Sequence, residues 1–275
     1  MSRSISFDVV ATTYDETRNY PAEVSALIAR QLLALAQLGP NDPLLECGIG
    51  TGRISLPMLA EGADVVGIDI SPRMMERLHA KLAEMRAAAS GRAWGTLTTH
   101  VADMTEVPFE DGSFGAVVAV HVLHLISDWQ RALHEIVRVL RPGGVFLLGQ
   151  DQRDADDLQW RVQSEWLRII GELSPETNTG YPGVGYTPLL KEFDRRNITH
   201  DEHLVARWQI ERTPRQVMEW ITLRQWSRTW DIPDDLFAIS TRALEHWMRR
   251  RYGGQMDVPQ AMSVSFTVAR VHRPR

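Results

Sequence analysis

Cysteine is almost missing from this chain: its 275 residues include one, Cys47, which excludes an internal disulfide framework. A chain of this length can bury a full core without such staples, and a lone thiol fits a reducing compartment. Long apolar runs are also missing. The longest, Ala116–Ile126, is interrupted by His121 and His124 and falls short of the roughly 18 residues that a membrane helix requires. The opening residues M-S-R-S-I-S-F-D-V-V lack the apolar stretch of a secretory signal, so a cytoplasmic protein without a membrane span is expected. Positive charge is not in excess: the formal net charge of −5 argues against a nucleic-acid polyanion as the main partner. Two basic clusters, Arg249–Arg251 and His272-Arg273-Pro274-Arg275, lack the interleaved aromatics of a stacking platform and read as solvated surface. Oligomeric state leaves no mark on the sequence.

What is present is an alternation of two periodicities. Helix-spaced apolar residues over Pro21–Leu38 end at Gly39-Pro40, and a short apolar strand follows at Pro43–Cys47. A glycine loop then opens a helix near Gly52, which Pro57 should kink or delay. Ala63–Asp69 reads as a strand, Ser71-Pro72 as the cap and first position of a helix reaching Ala89, and Leu97–Val101 as a third strand. The nearly all-apolar run Phe114–His121 predicts a strand covered on both faces. A helix over Asp128–Leu140 follows, then the turn Arg141-Pro142-Gly143-Gly144 and a strand Val145–Gln150. Strands separated by helices predict an α/β doubly wound, mostly parallel sheet with ligands at the carboxyl ends of the strands.

Past Gln150 the pattern changes, and seven of the tryptophans lie there. Helices are expected at Asp156–Leu173, Leu189–Arg196, Pro214–Arg228 and Asp234–Tyr252, with strands at His203–Glu211 and Met262–Val271. Residues 151–275 should therefore supply cap helices together with the last strands of the sheet begun by residues 1–150. Tryptophan at helical spacing is more often core than an aromatic cage.

The chemistry concentrates at strand ends. The loop Glu46-Cys47-Gly48-Ile49-Gly50-Thr51-Gly52 lets the backbone turn sharply and approach a ligand closely. A dinucleotide fingerprint spaces its glycines G-x-G-x-x-G, but Arg53 stands where the third belongs. Glu46 would sit poorly beside a pyrophosphate and suits a ligand with an ammonium group, such as S-adenosylmethionine. Asp69 ends the second strand, where a carboxylate can accept both ribose hydroxyls. Asp103, after the third strand, can accept from an adenine amino group with Met104 against the ring. One acid alone is usually a helix cap or a solvated charge; three at successive strand ends are a site.

These motifs, L-L-E-C-G-I-G-T-G-R, V-V-G-I-D-I-S-P-R-M, A-D-M-T-E-V-P-F-E-D-G-S-F and L-R-P-G-G, resemble the class I S-adenosylmethionine-dependent methyltransferases. They are similar to the branch that includes the ubiquinone- and menaquinone-biosynthesis enzymes, and the likeness covers about residues 7 to 150. One departure is Gly115, where that branch usually has Asp. The resemblance implies a Rossmann-like sheet of seven strands and S-adenosyl-L-methionine as cofactor. It places Gly48, Gly50 and Gly52 along the methionine and ribose portions, Glu46 at the amino group, Asp69 at the ribose diol, Ile70 beside the adenine, and Asp103 with Met104 at the base. Arg53 and Met74 are further candidate cofactor contacts. The opening F-D-x-x-A-x-x-Y-D resembles a segment folded over the cofactor, which makes Tyr14 and Arg18 candidate contacts near the sulfonium and carboxylate and implies a mobile N-terminal lid.

His121 and His124 follow the fourth strand, where the methyl group should point. With Tyr14 they are the candidate catalytic residues, His121 also a cofactor neighbour; the competing reading of each is a polar lining group, or for His124 a satisfied core histidine. No His/Cys/Asp cluster has metal-ligand spacing. The expected partner is a small-molecule acceptor, an aromatic one included, held beside His121 and roofed by Trp160, Trp226 and a loop presenting Tyr181 and Tyr186. A cofactor-binding protein without catalysis and an NAD(P)-dependent dehydrogenase are the alternatives.

Overall fold

A computed structural model describes residues 4–39, 42–89, 91 and 93–273. Pro40, the expected helix stop, and Pro274-Arg275 of the basic tail lie outside the described residues. The N-terminal segment carries a 3₁₀ turn, Asp8–Val10, and a short helix α1, Tyr14–Arg18, where the sequence predicts no regular element. Then follow α2 Ala22–Ala36, β1 Leu44–Cys47, α3 Ser55–Ala60, β2 Val65–Asp69, α4 Pro72–Ala88, β3 Leu97–Val101, β4 Phe114–Val120, a 3₁₀ turn Leu123–Leu125, α5 Trp129–Val139 and β5 Leu140–Arg153. The remainder comprises α6 Leu158–Leu173, α7 Tyr186–Arg195, β6 His200–Arg212, α8 Pro214–Thr222, α9 Asp234–Tyr252 and β7 Gln260–His272.

The described strands form a seven-stranded sheet in the order β3-β2-β1-β4-β5-β7-β6. The pairs β1–β2, β1–β4, β2–β3 and β4–β5 are parallel. The order reverses at β1, between β2 and β4, and that is where a doubly wound sheet opens a crevice for a ligand. β4 lies in the middle with every residue buried, as its unbroken apolar run requires. Helix α4 starts because the Ser71 hydroxyl accepts from the Met74 amide at 3.1 Å with Pro72 in the first turn. Helix α5 starts on Asp128, whose carboxylate accepts from Arg131 N, and buries Ala132, Ile136 and Val139 at helical spacing. Arg141-Pro142-Gly143-Gly144, expected as a free turn, falls within β5, whose pairing with β4 is irregular between Phe114 and Ala116.

By its contacts the chain divides into two compact units: residues 1–151, 182–206 and 266–275, and residues 152–181 and 207–265. The first contains the parallel strands and a core that includes Phe114, Val117, Ile136, Phe146, Tyr186 and Phe193. Tyr186 thus starts α7 buried in a core, with its hydroxyl 3.3 Å from Glu202, and is not one of two tyrosines displayed by a loop. The second unit is mostly helical, packing α6, α8 and α9 around Trp166, Ile170, Val217, Leu244 and Met248. Trp166 is buried and donates to Ser240 at 3.1 Å, the core role most tryptophans take. Helix α8 stops at Thr222, short of the expected Arg228. Arg224 turns left-handed there (φ 51°) and donates to the carbonyls of Thr229 and Ile232, holding the following segment. Among the described residues no helix is long and apolar enough to cross a membrane.

Candidate functional site

The glycine loop leaves β1 with Gly48, Gly50 and Gly52 all at positive φ, +72°, +53° and +80°, a conformation in which a β-carbon costs energy. The three glycines do different work. A β-carbon on Gly52 would lie 2.2 Å from Leu78 and 2.8 Å from Leu56, and one on Gly48 would lie 2.7 Å from Val122. Gly52 therefore packs the loop against α4 instead of lining the open edge. At Gly50 the nearest atom is the Met74 methyl at 3.3 Å, so this glycine keeps the most open side. The loop is further seated by Ile49, whose side chain enters a notch that Gly67 on β2 leaves, 2.1 Å from where a β-carbon would stand.

Glu46 is 2% exposed, and its Oε2 has no hydrogen-bond partner. Burial pushes its carboxyl up to about 8, with Ser55 and the Arg53 charge pulling the other way. A buried, unpartnered oxygen is costly, and one at the mouth of a glycine loop is a natural place for a ligand's ammonium group. Asp69, at the end of β2, accepts from Gly50 N and from Ser71 N, both at 2.9 Å. Burial raises its pKa, and those two amides oppose the rise. A carboxylate offers about four acceptor sites, so capacity remains for a diol. Asp103 accepts from the amide and hydroxyl of Thr105 at 2.8 Å each and from the Ser4 hydroxyl at 2.9 Å. Ile70 is half-buried beside Asp69, whereas Met104 is 4% exposed within the core beneath the sheet end.

The N-terminal segment crosses all of these strand ends. Ser4 bridges to Ile126 and bonds Asp103; Asp8 accepts from the Ser71 hydroxyl at 2.5 Å; Asp15 accepts from Thr51 at 2.7 Å and from Lys81 at 2.9 Å. Polar bonds therefore dock it, although the sequence offers it few apolar anchors. Tyr14 and Phe7 meet edge to face, and the Arg18 guanidinium lies 4.6 Å from the Tyr14 ring centroid. Arg53 has its own partners: its guanidinium stacks on Tyr20 at 4.5 Å, donates to Arg18 O at 3.0 Å and lies 3.6 Å from Asp151.

His121 follows β4 directly and has φ +53°, unusual for a residue other than glycine and costing of order 1–3 kcal/mol. Its Nε2 lies 2.9 Å from the Asp151 amide and 3.2 Å from the Asp151 carboxylate. Tyr20 donates to the other carboxylate oxygen at 2.7 Å. Burial would raise Asp151, but His121, Arg53 and Tyr20 outweigh it and hold this acid well below the usual range. Burial raises the Tyr20 hydroxyl, with the Asp151 charge adding to it against Arg53. Tyr20 and Asp151 escape a reading of the sequence because they lie 131 residues apart and belong to no motif. His124 stands on the next turn, where its carbonyl accepts from Gly183 N at 3.0 Å. Gly115, the departure just after the third motif, is closely packed: a β-carbon would meet the Asp42 and Leu38 side chains at 3.0 Å. Asp42 is itself bonded to Arg141 and to Gly39 N. Among the described residues no group of three or more His, Cys, Asp or Glu could hold a metal ion.

Residues 45–148, which carry the glycine loop and the strand-end acids, match the family model described as a methyltransferase domain. An uncharacterized protein of Mycobacterium bovis is 37% identical over 153 residues, covering 56% of this chain and 50% of that protein. The ubiquinone/menaquinone biosynthesis C-methyltransferase of Geotalea daltonii is 30% identical over 142 residues, covering 50% of this chain and 58% of that enzyme. The chain thus spans little more than half the length of the curated relatives it matches. Among solved structures, the YcgJ protein of Bacillus subtilis superposes with a TM-score of 0.56 at 16% identity, covering 90% of this chain and 98% of that one. The [4+2]-cyclase SpnF gives 0.51 at 18% identity, covering 90% and 80%. These likenesses carry the methyltransferase-type fold, and the cyclase among them shows that the fold alone does not name a reaction.

Proposed function

We propose that the chain transfers a methyl group from S-adenosyl-L-methionine to a small-molecule acceptor. The observation that carries this reading is Glu46: a buried carboxyl with an unpartnered oxygen, at the mouth of a loop whose glycines hold positive φ. A pyrophosphate offers no donor to that oxygen and meets like charge whenever Glu46 ionises, whereas the ammonium of a methionine moiety supplies the missing partner. This weighs against the dinucleotide alternative. Asp69 would accept the ribose hydroxyls, Gly48 and Gly50 would border the methionine and ribose portions, and Ile70, Met74 and Asp103 would frame the base. The bonds of Ser4 to Asp103 and of Asp8 to the cap of α4 support a role for the N-terminal segment as a cover over that ligand. The match of residues 45–148 to the methyltransferase-domain model supports the same reading, as does the methyltransferase activity named for relatives such as the Geotalea enzyme.

When bound, the cofactor supplies an activated methyl group on a sulfonium; the protein supplies alignment and exclusion of water. Orientation is worth roughly 7–11 kcal/mol, while a general base contributes about 10²–10⁴-fold, or about 3–5 kcal/mol. Alignment therefore dominates. His121, half-buried at the end of β4, is the group placed to assist with a proton; Tyr14 and His124 stand farther along the same edge as supporting candidates. A screen of acceptors with methyl-labelled cofactor tests the proposal. Label transferred to a small molecule supports it, and tight cofactor binding with no transfer to any acceptor would favour a protein that binds without catalysing.

A further inference from the structure

We propose that the helical unit carries a binding site for an oxyanion, the carboxylate or phosphate of a small molecule, held by Arg212 and Arg161 where β6 ends and β7 begins, with Trp220 as one wall. The site goes beyond the methyl-transfer reading and does not depend on it.

The fold brings these side chains to one face. Side chains alternate across a strand, and Ile210 on β6 and Met262 on β7 both pack against the core of the helical unit. Arg212 and Gln260 stand two positions from them on the same strands and so face the same way. β6 and β7 are neighbours in the sheet. The Arg215 amide donates to the Met256 carbonyl at 3.0 Å, so the end of β6 lies beside the start of β7. Helix α6 reaches this corner through Arg161, whose Nη2 donates to Gln260 Oε1 at 3.0 Å. Helix α8 reaches it through Trp220, whose ring centroid lies 5.3 Å from the Arg212 guanidinium. Arg153, the last residue of β5, adds a third charge close enough to Arg212 to repel it.

What these arginines lack is an acid. Arg168, Arg215, Arg224 and Arg249 of the same unit each meet a carboxylate, whereas no ion pair of Arg153, Arg161 or Arg212 is present among the described residues. The Nε groups of Arg161 and Arg212 are buried without a hydrogen-bond partner. Arg212 spends Nη1 on the Glu211 carbonyl at 2.8 Å. That leaves its Nε–Nη2 edge, the pair of parallel donors that fits a carboxylate or phosphate. Asp157 does not serve Arg161, because one of its oxygens caps the Trp160 amide and the other has no partner. Burial and the Arg153 charge pull the pKa of Arg212 down, whereas the carboxylate beside Arg215 pulls that arginine up. A buried donor left unmade on a charged group costs stability, and here there are two beside a third positive charge. A neutral ligand would leave the repulsion between Arg153 and Arg212 in place; an oxyanion removes it.

The full chain, labelled with ¹⁵N, is titrated with inorganic phosphate and separately with succinate, against sodium chloride at equal ionic strength. The Arg212 Nε–H signal is identified by its loss in Arg212→Lys, which keeps the charge. In the wild type it should shift saturably with phosphate, with succinate or with both, and not with chloride; the anion that acts names the group on the ligand. Arg161→Met should weaken the same titration roughly 10- to 150-fold, as expected when hydrogen bonds to a charged group are lost. Arg212→Met keeps an apolar stem over Trp220 and removes the unpaired charge. Its Tm in chloride should equal or exceed that of the wild type, and the rise in Tm that the active anion gives the wild type should vanish. No saturable shift with either anion, the same shift with chloride, or a Tm rise that persists in Arg212→Met overturns the site. So does a lower Tm of Arg212→Met in chloride, which marks the guanidinium as a structural support.

Discussion

Replacing Glu46 by glutamine should abolish a proton release that accompanies cofactor binding in the wild type. The folded carboxyl is raised to about 8 by burial, so at pH 7 it is about nine-tenths protonated in the empty protein. An ammonium group binds its carboxylate form, and binding must therefore expel close to one proton per ligand at that pH. Between about pH 5.5 and 7, where the ligand's ammonium stays charged, affinity should rise roughly tenfold per unit. The glutamine of the Glu46→Gln variant cannot ionise, so its affinity should be flat across this window. It should approach the wild-type value at the acidic end and fall behind progressively above it. Calorimetry in phosphate and in Tris at the same pH measures the release, because the two buffers differ in ionisation enthalpy. Identical heats in both buffers, or a wild-type affinity as flat as that of Glu46→Gln, would show that no proton leaves Glu46 on binding. The stability consequence has the opposite sign. A carboxyl whose folded pKa lies above its unfolded value stabilises the fold fully at pH values below the unfolded pKa of about 4.5. That contribution is lost progressively as the pH rises to about 8. Glu46→Gln should accordingly raise the Tm of the empty protein at pH 9 and leave it nearly unchanged at pH 5.

Asp69→Ala should weaken cofactor binding by about 1.5–3 kcal/mol, the worth of hydrogen bonds to a charged group; calorimetry showing unchanged affinity would remove Asp69 from the site. Gly52→Ala, with its β-carbon 2.2 Å from Leu78 at φ +80°, should cost about 1–3 kcal/mol of stability, read as a lower denaturant midpoint. Gly50→Val should instead keep the fold and lose binding, and normal binding in that variant would mean the loop does not touch the ligand. Deleting residues 1–18 removes the bonds of Ser4, Asp8 and Asp15 to Asp103, Ser71 and Thr51. It should leave a folded protein with greatly reduced turnover, and full activity would show that the segment does not cover the site.

The elements with a strong local cause are those the sequence makes legible. Leu97–Val101 and Asp234–Tyr252 coincide with their expected bounds, and the Ser71 cap stands where expected. Gly48, Gly50, Glu46 and Asp69 share one edge because each ends or follows a neighbouring parallel strand. Other features depend on pairings that no local pattern records. Arg53, expected at the cofactor, is taken up by Tyr20, the Arg18 carbonyl and Asp151, the last of these about a hundred residues on. Helix α8 ends early because the Arg224 side chain binds carbonyls that follow it. Asp8 and Asp15 look like ordinary surface acids until the fold brings Ser71, Thr51 and Lys81 to them. Gly67 is an inconspicuous glycine in a strand until Ile49 fills its notch.

Whether the strand-end acids and the glycine loop hold S-adenosyl-L-methionine is decided by calorimetric titration of the purified chain at pH 7 with S-adenosylhomocysteine and, separately, with NAD. The expected result is binding of the first with one site per chain, weakened roughly 10- to 150-fold in Asp69→Ala, and no heat with the second. Saturable binding of NAD, or no binding of S-adenosylhomocysteine by the folded protein, would contradict it.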